Sequence, residues 1–145
     1  MSEKNYDPRM HTAEHILNQT MVRKYNCGRA FSSHIEKKKS KCDYRISNAL
    51  SIDEISEIEN VVNSIIESNV EVTEGFVAKQ EAEQFLDLSK LPADAPDSIR
   101  VIRVGDYDAC ACIGPHVKNT SEIGKFKIIS SDFNDGVVRL RFKLE

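Results

Sequence analysis

Apolar residues recur at three- and four-residue spacing in two stretches of this chain, and alternate or run together in several shorter ones. From Arg9 to Tyr25, the residues Ala13, Leu17, Thr20, Met21 and Lys24 lie near one stripe, which predicts a helix. Asn26-Cys27-Gly28 is its expected stop, with Gly28 at the C-terminal cap. A second helix is predicted over 52–68, with Ile55, Ile58, Val62, Ile65 and Ile66 as its apolar stripe. Ser51 followed by Glu54 is a capping-box pair at its start. Strands are expected over 31–35, 41–47, 70–78, 99–104, 107–112, 126–131 and 137–144. Asn134-Asp135-Gly136 reads as the turn of a closing hairpin. Glu36 to Lys41 reads as a hairpin tip or loop, Gln80 to Leu88 as a short helix, Pro92 to Pro96 as a loop, and Thr120 to Ile123 as a helical turn. Residues 1–9 read as a loose polar start. Strands and helices are interleaved and several strands are joined by hairpins. That predicts an α+β fold, one domain over 1–145, with a largely antiparallel sheet and helices packed on one side.

Composition narrows the class. The chain has 145 residues, 40% hydrophobic and 30% charged, an ordinary balance for a globular protein. No run approaches the ~20 apolar residues of a spanning helix, so no membrane association is expected. MSEKNYDPRM is polar and no apolar stretch follows it, so no secretory signal is expected. The net charge of −3 leaves nucleic-acid binding to local basic patches. Without a secretory signal, Cys27, Cys42, Cys110 and Cys112 are expected as free thiols or metal ligands in a reducing, cytoplasmic setting. Oligomeric state is left open.

The four histidines carry the chemistry. His11 and His15 stand at i and i+4 of the first helix, so their imidazoles share a face. Far along the chain, Cys112 and His116 form a Cys-x-x-x-His pair across Ile113-Gly114-Pro115, where Gly and Pro favour a tight bend. Three imidazoles and one thiolate suit zinc, Zn2+, which takes nitrogen and sulfur in tetrahedral geometry. A competing pattern is His-x-x-Glu-His, the inverted zinc-protease motif, with Glu14 as base and Glu81 or Glu83 as a downstream ligand. It leaves Cys112 and His116 without a role.

HTAEHIL, from His11 to Leu17, together with CIGPHVKNTSEIG, from Cys112 to Gly124, resembles the alanyl-tRNA editing family. That family includes the second additional domain shared by alanyl- and threonyl-tRNA synthetases. The resemblance runs from His11 to the C-terminus. It implies an editing-domain-like fold and a hydrolase that removes a wrong amino acid from tRNA, without ATP. It carries over His11, His15, Cys112 and His116 as zinc ligands. The signature is mixed between branches. Ile113 and Pro115 replace the Gly and Thr of the alanyl branch, and Gly-Pro-His-Val followed by Asn119 looks threonyl-like. Cys110 stands where the threonyl branch has Asp, while Thr120, Glu122, Ile123 and Gly124 look alanyl-like. About ten residues precede His11, so the short free-standing form is expected, with no preceding barrel and no aminoacylation core.

The implied substrate is an aminoacyl ester at the tRNA 3′ end, with seryl-tRNA-Ala the first expectation and seryl-tRNA-Thr an alternative. A non-catalytic, zinc-stabilised tRNA-binding module is the other. Zinc would either generate hydroxide or hold the substrate while a separate water attacks. Glu14 is a candidate to orient a ligand or accept a proton, and Thr120 is a second candidate at the reacting end. Ser32, Ser33 and His34 are candidates to recognise a serine hydroxyl. For tRNA phosphates the candidates are Lys37, Lys38 and Lys39 in the lysine loop, and Arg139, Arg141 and Lys143 on one face of the last strand.

Overall fold

A computed structural model describes residues 7–84, 86 and 97–145. The chain runs α1 (Pro8–Tyr25), β1 (Ser32–His34), β2 (Ser40–Arg45), α2 (Ile52–Glu67), β3 (Val72–Ala78), α3 (Lys79–Ala82), β4 (Ser98–Val104) and β5 (Asp108–Ala111). A 3-10 turn (Thr120–Glu122), β6 (Phe126–Asn134) and β7 (Val137–Leu144) complete it. The fold is α+β and every strand pairing is antiparallel. The strands divide between two sheets, one ordered β1-β2-β7-β6 and the other β3-β4-β5.

Local signals set the helix ends. Asp7 caps α1, its carboxylate accepting from the N–H groups of Arg9 and Met10, and Pro8 takes the first turn, where its missing N–H costs nothing. The expected cap at Gly28 is corrected: the left-handed residue is Asn26, at φ 52°, whose N–H donates to Val22 O. Asn tolerates that conformation through its short polar side chain, so the helix ends two residues earlier. The Ser51–Glu54 capping box of α2 is present in both directions. Asp135 and Gly136 both have positive φ, which gives the β6–β7 hairpin the twist of its strands. The predicted Gln80–Leu88 helix is short: α3 ends at Ala82, and its expected end and the Pro92–Pro96 loop lie outside the described residues.

Cys42, Tyr44, Val138, Leu140, Phe142, Phe126 and Ile128 form the inner face of the four-stranded sheet, against α1 and the Ile58–Val62–Ile66 stripe of α2. The outer edge of β6 is covered by α2: Asn63 bonds both backbone groups of Phe126, and Glu59 accepts from Ile128 N–H. The second sheet packs its other face, with Ile99, Val101, Ala109 and Ala111, against Ala82 and Leu86.

The fold is arranged around α1. Every residue from Met10 to Leu17 is buried. On one side Asn18 joins the first sheet, accepting from Tyr44 Oη at 2.7 Å and Ala30 N–H at 3.2 Å. On the other side its polar residues meet β5 and the segments that flank it, as in the 2.7 Å contact of Thr20 Oγ1 with Tyr107 Oη, just before β5. A helix covered on both sides has little room for a polar stripe, which is why its pattern is less sharply amphipathic than that of α2.

Candidate metal centre

His11 and His15 lie one turn apart on the face of α1 that meets β5. Cys112 follows the end of β5, and the chain bends through Gly114, at φ 108°, to His116. The segment is then tied down: Val72 N–H donates to Lys118 O, Thr120 N–H to Val70 O, and Val70 N–H to Thr120 Oγ1. The result is one group of His11, His15, Cys112 and His116, whose donor atoms all lie within 4.8 Å of one another. Cys112 Sγ is 3.3 Å from His116 Nε2. The ring centroids are 4.9, 4.0 and 4.5 Å apart for His11–His15, His11–His116 and His15–His116. The histidines of α1 are buried, whereas Cys112 and His116 are half-buried, so the group opens on their side.

Each imidazole is backed by a group at Nδ1. His11 Nδ1 is 3.0 Å from Pro115 O, a carbonyl that only accepts, so the proton sits on Nδ1. His116 Nδ1 is 2.9 Å from Thr12 Oγ1. That hydroxyl donates to Pro8 O and accepts from Val117 N–H, so its remaining lone pair takes the Nδ1 proton of His116. In both rings Nε2 is left as the donor for a cation. His15 Nδ1 lies 3.5 Å from Asp108 Oδ2, longer than a normal hydrogen bond, and this buried nitrogen makes no other. Asp108 itself is fixed by Arg29 at 2.7 and 3.3 Å and by Gln19 at 3.1 Å. Burial opposes its ionisation, but His15 and the Arg29 guanidinium outweigh that and hold the carboxyl below its usual range. Backing groups of this kind orient ligating imidazoles and raise their basicity. This donor set, with the Nδ1 atoms of His11 and His116 engaged and its remaining ring nitrogens converging with a sulfur, can hold a metal ion.

Burial, then the neighbouring His15, lowers the pKa of His11 to about 3, and the same causes lower His116 further. Burial, then Cys110, pushes the Cys112 thiol up to about 12, so a bound cation would have to displace its proton. An unfolded histidine protonates near pH 6.5, whereas these two stay neutral in the fold, so below that pH the unfolded chain binds more protons. Stability of the metal-free protein should therefore fall from pH 6.5 toward pH 3, by up to about 1.4 kcal/mol per pH unit for each histidine. Melting temperatures in chelator from pH 7.5 to 5 measure this. A flat profile would contradict the buried, neutral placement.

The other expected site residues fall elsewhere. Glu14 is buried on α1 with Oε1 4.0 Å from His11 Nε2. Thr120 is fully buried, and its hydroxyl serves Val70 N–H and Ile66 O, so it anchors a turn against α2. Ser32, Ser33 and His34 form the edge strand of the first sheet, where Ser33 Oγ is 3.7 Å from Cys42 Sγ and His34 Nε2 is 3.5 Å from Glu36. Arg139 pairs with Asp43, Arg141 with Asp132 and Lys143 with Glu145, so each basic group of the last strand has a carboxylate beside it. Lys37, Lys38 and Lys39 are exposed. Lys39 helps line a pocket of about 260 Å³ with His34, Glu36, Ser40, Lys41 and Arg141. Glu81 and Glu83 are exposed and outside the donor group, which removes the ligand the protease pattern needed. Sequence reasoning missed Thr12, Gln19, Arg100 and Asp108, and read Arg29 only as a candidate phosphate contact, whereas it pairs with Asp108. Only Asp108 carried a signal, its place four residues before Cys112 on the same face of a strand.

Residues 99–141 match the threonyl and alanyl tRNA synthetase second additional domain. Over 139 residues, 92% of this chain, it is 39% identical to the alanine–tRNA ligase of Aeropyrum pernix. The alanine–tRNA ligase of Fervidobacterium nodosum is 36% identical over 91% of the chain, and that of Ligilactobacillus salivarius 34% over 90%. The chain spans only 15–16% of the length of these relatives. The family match contains Cys112 and His116, the relatives align with nearly the whole chain, and the chain belongs to the family of the second additional domain shared by threonyl and alanyl tRNA synthetases.

Proposed function

We propose that this protein is a zinc-dependent deacylase that hydrolyses a wrong amino acid from the 3′ end of tRNA, with seryl-tRNA-Ala as its first substrate. The observation that carries the reading is the convergence of three imidazoles and one thiol from two distant segments, with donors within 4.8 Å of one another. Four ligands around one zinc, three nitrogens at about 2.0–2.1 Å and one sulfur at about 2.3 Å, would stand roughly 3.3–3.6 Å apart, so small side-chain movements close the shell. His11, His15, Cys112 and His116 would hold the ion, and the ion would supply a Lewis acid for the ester carbonyl or an anchor for the substrate.

The chain's own groups do the rest. Glu14 lies against His11, and among the described residues its carboxylate makes no hydrogen bond. Its place suits it to take a proton from the attacking water and pass it to the departing ribose oxygen. Asp108, held by Arg29 and Gln19, keeps His15 turned toward the group. The lysines at 37–39 offer sequence-blind phosphate contacts. We favour them over Arg139, Arg141 and Lys143, whose charge is met by neighbouring carboxylates. The relatives are alanine–tRNA ligases, which supports tRNA-Ala over tRNA-Thr. Four cysteines free of disulfides are in keeping with a reducing cytoplasm.

The test is deacylation of seryl-tRNA-Ala, seryl-tRNA-Thr and glycyl-tRNA-Ala, with metal analysis of the wild type and His11→Ala. The wild type should carry one zinc and cleave seryl-tRNA-Ala fastest. His11→Ala should lose the metal and at least about a hundredfold in rate. Four protein donors can also close a structural shell. Binding of tRNA with no ester cleavage on any substrate would replace this reading with a zinc-stabilised binding module.

A further inference from the structure

Two residues of the second sheet stand in one row with Cys112, which follows the last strand of that sheet and belongs to the metal group. Phe76 on β3 is the register partner of Arg100 on β4. Val101 pairs with Ala111 at the end of β5, so Cys112 is the next residue beside Arg100. The contact is explicit: Arg100 Nη1 donates to Cys112 O at 3.2 Å and to Gly114 O at 2.9 Å. Side chains alternate along each strand, and Ile99, Val101 and Ala111 occupy the opposite face. Phe76, Arg100 and Cys112 therefore share the face that carries the metal group. Adjacent strands are about 4.8 Å apart, so the phenylalanine lies roughly 10 Å from the thiol residue, measured across the sheet. Phe76 is 64% exposed, a flat apolar ring on an edge strand, in register with Arg100, whose guanidinium reaches to Cys112 and Gly114. Glu74 holds the other side of that guanidinium.

We propose that this row is the subsite for the terminal nucleoside of the aminoacylated strand, with its base stacked on Phe76. The inference rests on the deacylase reading and gives it a geometry. In an aminoacyl-tRNA the ester sits on the ribose that carries the last base. A base on Phe76 then sets that ribose over Arg100 and the ester beside Cys112, His116 and Glu14. Arg100, its charge met by Glu74, holds the backbone of Cys112 and Gly114 in place at the end of this row. Stacking on an aromatic ring tolerates any base, so the subsite fixes position and leaves amino-acid choice to the metal pocket.

The chain contains no tryptophan, so Phe76→Trp creates a single tryptophan at the proposed platform, excited selectively beyond the tyrosine band. A minihelix ending in unpaired adenosine should quench it, and one whose terminal nucleoside is abasic should not, with binding of both followed independently by anisotropy of a label on the RNA. Phe76→Ala should lower kcat/KM on the seryl-minihelix by about ten- to a hundredfold through KM, with zinc content unchanged. Phe76→Trp should restore it. Hydrolysis of seryl methyl ester, which has no base, should be the same in all three proteins. Equal kcat/KM in Phe76→Ala, or binding without adenosine-dependent quenching, would overturn the subsite while leaving the deacylase reading intact. An inactive wild type that binds no minihelix would overturn both.

Discussion

Glu14→Gln is expected to lower the deacylation rate by about 10²- to 10³-fold while leaving one metal per chain. The amide keeps the shape of the side chain and cannot accept a proton from water. Glu14 stands on the same turn of α1 as His11, with Oε1 4.0 Å from His11 Nε2, yet it lies outside the donor group itself. Loss of rate and retention of metal should therefore separate, unlike in His11→Ala, where both are lost. The measurement is single-turnover hydrolysis across pH with metal content determined on the same preparation. Activity within about threefold of wild type would assign proton transfer to another group.

Asp108→Asn should cause the largest loss of stability, and it acts through another residue. The Asp108 side chain is fully buried, and it is the shared acceptor of Arg29, Gln19 and the Nδ1 edge of His15. Removing its charge leaves a guanidinium without its counterion in the interior. Arg29 keeps about a fifth of its side chain exposed, so the expected cost is near the lower end of the range for a broken buried pair, about 3 kcal/mol. His15 also loses the group that orients it, so metal affinity should fall about 10- to 100-fold. Urea midpoints in chelator give the first effect, and competition with a zinc chelator gives the second. Adding Arg29→Met should recover stability, because no unpaired charge then remains, but it should not recover metal affinity. Recovery of both would mean that Asp108 serves the fold alone.

Much of the site is legible in the order of residues along the chain. His-x-x-x-His and Cys-x-x-x-His depend on local spacing, and local spacing survives folding: a helix puts i and i+4 on one face, and a Gly-Pro bend returns a loop toward itself. The capping box at Ser51 and the Asn-Asp-Gly hairpin are readable for the same reason. Gly28 is not the cap of α1 because Asn26 also tolerates the left-handed conformation and comes first. Thr120 resembles a reacting group in sequence because it stands near the motif. Its hydroxyl instead meets a backbone N–H of residue 70 and a carbonyl at the end of α2, groups far away along the chain.

The sequence by itself determined which atoms are available as metal donors, and the short-range bends and helical turns that pair them two by two. Tertiary structure alone decided that the two pairs meet. It supplied Asp108, Thr12 and the Pro115 carbonyl as backing groups, and it answered Arg139 and Arg141 of the last strand with carboxylates from neighbouring strands. The physical reason is range. Spacing along a chain fixes neighbours within a turn or a strand, whereas proton placement and charge balance at a buried site depend on groups that only packing brings within a few ångströms.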